Sequence, residues 1–121
     1  MTTRNTSARA SAARELRDLL AQCRDTLAKA RLRGWKYHQV IDFSDLVLRD
    51  KPSTRPGYIG NLRTALMECE LVVRLLLPPG HSAQRLATKA ARAVLCTYPL
   101  SRNPPGPAHR APRMSAVPQT Y

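Results

Sequence analysis

Arg17, Arg24 and Arg31 recur at seven-residue intervals through a segment whose Leu16, Leu20, Cys23, Leu27 and Ala30 keep a four-three-four-three spacing. On a helix, that register separates an apolar stripe from a cationic edge whose guanidinium groups stand about 10.5 Å apart, a ladder suited to a repeating polyanion. A second row, Arg85, Lys89 and Arg92, follows later in the chain at four-three spacing, beside Leu86, Ala90, Ala93 and Val94. Lysine and arginine total 20 against 8 acidic residues, a net charge of +12. Arginine supplies 16 of those 20 cations, which favours forked donation to phosphate over point-charge contact. A field of this size steers and holds phosphate with little need for fine geometry. The expected partner is a nucleic acid, with an anionic membrane surface or an acidic protein as competitors. A GC-rich or overprinted reading frame accounts for the same composition without a ligand.

Catalysis needs a nucleophile, a base and an orienting group that converge, and the sequence offers no such set. Asp42 and Asp45 can share a helix face but have no third ligand nearby, so they read as a cap and a solvated position. His38, His81 and His109 fall in separate segments, none with cysteine at zinc spacing. The glycines are isolated and form no phosphate-cradling loop. The expectation is therefore a protein that is no enzyme, with no metal, no cofactor and no small-molecule substrate. Cys23, Cys69 and Cys96 are far apart, each on or beside an apolar stripe, and read as buried reduced thiols in a reducing compartment. The longest apolar run, Leu71 to Leu77, is interrupted by Arg74 and falls short of the ~20 residues that span a bilayer. No signal peptide is read at the N-terminus, although Thr2 to Arg17, with no acid before Glu15, also fits a mitochondrial presequence.

These residues must be positioned by helices. The periodicity predicts a first helix over about 8–33, capped by Ser7 or Ser11 and ended by Gly34. Basic residues crowd its last turns at Lys29, Arg31 and Arg33, where they also complement the helix dipole. Trp35 to Asp50 fits either a short helix or an extended segment, with helix preferred and with Trp35 and Tyr37 as core anchors. Lys51 to Gly57, with its two prolines, is a turn. A second helix over about 58–77 carries Leu62, Leu66, Cys69, Val73 and Leu76 in the same four-three spacing. After the break at Pro78-Pro79-Gly80, Ser82 caps a third helix over about 82–97. Facing stripes on the first two long helices predict an antiparallel hairpin. The thin aliphatic core predicts that two copies pair, giving an all-α protein in which hairpin plus shorter third helix dimerise into a four-helix bundle. The helical domain is expected over 1–98. The proline-rich remainder, 99–121, with Arg102, Arg110 and Arg113, is expected to be disordered.

The second helix reads Asn61-Leu62-x-x-Ala65-Leu66, then Leu71, Val73, Arg74 and a leucine run ended by proline. In spacing, this resembles the long helix of the nodavirus suppressors of RNA silencing. The resemblance implies a helical-hairpin homodimer in the host cytoplasm that lies along double-stranded RNA without reading its sequence. Such a protein shields long duplexes from dicing and sequesters small interfering duplexes. Arg74 stands beside the place of a duplex-contacting arginine of that family, and Arg55 near another basic contact. Arg63 shares the outer edge of the helix with Arg74. Glu68 departs from the pattern, falling where a lysine is expected, and Glu70 lies close by. The first and third helices are therefore expected to share the RNA face, through Arg17, Arg24, Arg31, Arg85, Lys89 and Arg92. Two other functions fit the sequence: a basic helical adaptor for an acidic protein or membrane, and a small DNA-binding helix-turn-helix protein that uses the Pro78-Gly80 break as its turn.

Overall fold

The computed structural model describes residues 2–102 as an all-α fold. Four helices, α1 (Thr2–Ala30), α2 (Trp35–Arg49), α3 (Pro56–Leu76) and α4 (Ala83–Cys96), are followed by a short 3-10 turn at Tyr98–Ser101, and no strand occurs among the described residues. Helix α1 begins nearer the N-terminus than either predicted serine cap and stops three residues short of Arg33. It stops there because Arg31 takes a left-handed conformation, φ 52°, and Gly34 follows at φ 107°. Two positive φ values within four residues turn the chain back on itself.

The ambiguous segment is helical. Tyr37, Val40, Ser44 and Val47, spaced three and four apart, all point inward, so packing of one helical face overrides the extended preference of Val40 and Ile41. Helix α3 starts with Pro56 at its first position, where the missing N–H would have had no partner in any case.

Polar contacts fix the direction of each helix. Arg24 meets Asp45, and the Tyr37 hydroxyl donates to Leu27 O at 2.8 Å, so α2 runs back along α1. Lys36 pairs with Glu68 at one end of α2, while Arg17 bridges Leu48 O and the Tyr58 hydroxyl at the other, so α3 runs back along α2. Arg74 with Gln84, and Arg63 with Val94 O, set α4 antiparallel to α3. The chain is thus an up-down-up-down four-helix bundle. Helices α1 and α3 pack together as a central pair, flanked by α2 and α4, which do not touch each other. This corrects the expected hairpin: a full helix between the two long ones adds a second reversal and leaves them parallel.

Leu16, Leu20, Leu27, Ile59, Leu62 and Leu66 are wholly buried, joined by Val40, Val47 and Val72. Each such side chain contributes about 1.5–3 kcal/mol of transfer free energy. Of the stripe expected to pair hairpin helices, Leu62, Leu66, Cys69 and Val73 are buried within one chain, while Leu76 is exposed. Cys23 and Cys69 are buried as expected; Cys96 is exposed. Tyr37 is the predicted core anchor, but Trp35 is 76 % exposed. Leu100 packs against the core, so the folded unit continues through the segment 99–102 that composition assigned to the tail. The rest of that tail, 103–121, lies outside the described residues.

Candidate nucleic-acid interface

Arg17 and Arg24 of α1 face α2. Arg17 donates from Nη1 to the Tyr58 hydroxyl at 2.6 Å and to Asp50 O at 3.3 Å, and from Nη2 to Leu48 O. The carbonyls at a helix C-terminus have no intrahelical donor, and a cation there also meets the negative end of the helix dipole. Arg17 therefore caps α2 and ties it to both long helices. Arg24 makes a forked pair with Asp45, at 2.7 Å from Nε and 3.2 Å from Nη2, and approaches Asp25 at 3.5 Å. Hydrogen bonding to Asp45 is the main cause that raises its guanidinium pKa above the ordinary value. Arg31 has left the helix and is exposed. The seven-residue ladder is not a free edge, because α2, once helical, covers it.

The arginines of α3 divide in the same way. Arg63 donates to Val94 O at 2.9 Å and to Ser101 Oγ at 3.1 Å, with its guanidinium 5.0 Å from the centre of the Tyr98 ring. It closes the end of α4 as Arg17 closes the end of α2. Arg74 reaches Glu70 at 3.5 Å, Gln84 Oε1 at 3.0 Å and Thr88 Oγ1 at 3.3 Å, yet remains exposed. Arg55 sits exposed at the N-cap of α3, its side chain hydrogen-bonded to none of the described residues. Glu68 is engaged by Lys36.

The row on α4 is different. Arg85, Lys89 and Arg92 are all exposed, and among the described residues no carboxylate lies within ion-pair distance of any of them. Lys89 and Arg92 border a groove whose α1 wall carries Glu15, Asp18 and Gln22, so the row is bounded by acid on one side and open on the other. Two further groups of exposed cations stand at the ends of the bundle. Arg14, Arg49, Lys51 and Arg55 surround the connection between α2 and α3, while Lys29, Arg31 and Arg33 gather at the corner between α1 and α2. Arg14, Arg33, Arg49 and Lys51 were not singled out as contacts from the sequence, since they belong to no row on a single helix and come together only through the chain reversals.

Helix α4 touches α3 near both of its ends, through Gln84 and Val94, and so lies along it. That differs from the ~90–120° crossing of a helix-turn-helix. Among the described residues, no group of three or more His, Cys, Asp or Glu side chains is placed to hold a metal, and no helix is long and apolar enough to cross a membrane. No family model, curated relative or solved structure matches the chain.

Proposed function

We propose that the protein binds double-stranded RNA without regard to sequence, chiefly through Arg85, Lys89 and Arg92, and that by covering duplexes it suppresses RNA silencing in the host cytoplasm. The observation that supports this most is the exposed α4 row, whose three cations have no acid within ion-pair distance, while Arg17 and Arg63 are occupied in closing helix ends. Guanidinium and ammonium groups on one straight helix reach successive phosphates and 2′-hydroxyls along the wide minor groove of an A-form duplex, which is recognised by shape. The exposed cations at the two ends extend the same field. Met67, Leu71 and Leu75, four residues apart and exposed on the outer face of α3, suit pairing with a second copy, which would duplicate the row.

A mobility-shift titration tests the reading, using a 21-pair RNA duplex, DNA of the same sequence, and heparin as competitor. The expected result is preference for RNA, with affinity falling steeply as salt rises. Reversing Arg85, Lys89 and Arg92 together to glutamate should lower the salt slope by about 3 and abolish binding at physiological salt, with the helical circular-dichroism spectrum retained. Equal binding to RNA, DNA and heparin would support an adaptor for acidic surfaces instead.

A further inference from the structure

The chain has one tryptophan, and the fold places it on the surface. Inward positions of α2 are Tyr37, Val40, Ser44 and Val47. Trp35 precedes Tyr37 by two residues, about 200° around the helix, and so faces away from the core. Its position is well defined: Tyr37 is buried and bonded to Leu27 O, and the two positive-φ residues, Arg31 and Gly34, set the turn just before it. A large apolar ring held in water on a fixed corner forgoes the burial that most tryptophans obtain, and such residues commonly anchor interfaces.

The surroundings indicate the ligand. Between Asp25 and Asp42 the sequence has no acidic residue, and the corner carries the exposed cations Lys29, Arg31 and Arg33. The acid of α3 on the α2 side, Glu68, is neutralised locally by Lys36. An exposed indole on a corner that also carries exposed cations matches an unpaired nucleotide, whose base stacks while its phosphates meet the charges. We infer that Trp35, with Lys29, Arg31 and Arg33, forms a stacking platform for an unpaired nucleotide at the end of an RNA duplex, an inference that takes its ligand from the duplex-binding reading above.

Because Trp35 is the sole indole, its fluorescence reports the site directly. The full-length protein is titrated with a blunt 21-pair RNA duplex, the same duplex bearing two-nucleotide unpaired 3′ tails, and a single strand. The tailed duplex and the single strand are expected to quench Trp35, and the blunt duplex to bind without quenching. Trp35→Ala should weaken the tailed duplex about 5- to 150-fold, the equivalent of one stacked base, and leave the blunt duplex unaffected; Trp35→Phe should restore most of the loss. A Trp35→Ala protein that binds the tailed duplex as tightly as the unmutated protein does, or a bound tail that leaves the fluorescence unchanged, would overturn the platform while duplex binding stands. Single-strand quenching without binding of either duplex would keep the platform and remove the duplex reading. If no RNA binds, both fall.

Discussion

Arg17 is the residue at which a structural and a ligand-binding role give opposite outcomes. In the fold, its guanidinium holds Leu48 O, Asp50 O and the hydroxyl of the buried Tyr58. Arg17→Met keeps the aliphatic stem and removes every one of these donors. A hydrogen bond from a charged group contributes about 1.5–3 kcal/mol, and a buried hydroxyl left unpaired costs about 1–3 kcal/mol. The two carbonyls lie at a half-exposed helix end and regain water, so a net loss of about 3 kcal/mol is expected once that recovery is discounted. With a urea m-value of about 2 kcal/mol/M, the unfolding midpoint followed by circular dichroism should fall by about 1.5 M. Arg17→Lys, which cannot fork across three acceptors, should fall between. Arg85→Glu, on the free row, should leave the midpoint within about 0.3 M while weakening RNA. An Arg17→Met protein with an unchanged midpoint and an RNA defect as large as that of Arg85→Glu would refute the assignment of Arg17 as a helix cap.

Gln84→Ala should lower stability by about 1 kcal/mol in the same urea assay, because its amide donates to Val73 O, Leu77 O and Pro78 O at the end of α3. Leu66→Arg places a charge in a fully buried site of the single-chain core, so it should collapse the near-ultraviolet spectrum and cooperative unfolding, with no folded half-molecule on a sizing column. Burial pushes the Cys23 thiol up to about 12 and the Cys69 thiol up to about 11, from an ordinary 9.0. The folded state thus favours both neutral thiols. Their contribution is full below about pH 9 and is lost as pH rises through about 11 and 12, so alkaline titration should destabilise the protein and Cys23→Ala should flatten that limb. A thiol reagent at neutral pH should modify Cys96 quickly and the other two only on unfolding.

Periodicity made α1, α3 and α4 legible, since Leu16, Leu20, Leu27, Leu62, Leu66, Ala90 and Val94 are buried on the faces that the spacing identified. Boundaries were less legible. Gly34 was the natural stop for α1, but the left-handed turn begins at Arg31, a conformation that side-chain chemistry alone does not announce. Topology followed from one choice. With 35–50 counted as minor, the two long helices pair antiparallel, whereas a 15-residue helix there makes them parallel and buries the stripe that a second copy would have covered. Trp35 and Tyr37 show the limit of composition as a guide. Scarcity argues that every aromatic is needed inside, yet helical phase sends one inward and its neighbour outward.

The cations were hardest to sort, and the reason is physical. Each helix C-terminus in this bundle is closed by a side chain from another helix: Tyr37 donates to Leu27 O on α1, Arg17 to Leu48 O on α2, Gln84 to Val73 O on α3, and Arg63 to Val94 O on α4. Glycine follows α1 and α3 within four residues, at Gly34 and Gly80, but of the two only Gly34 takes a positive φ, so local capping motifs are largely replaced by long side chains that reach across. Spacing on one helix cannot tell such an arginine from one that meets phosphate, because both sit at the margin of an apolar stripe. The distinguishing quantity is whether a neighbouring helix ends within reach. Arg17 and Arg63 lie opposite such ends. Arg85, Lys89 and Arg92 lie opposite none, and among the described residues no carboxylate pairs with them.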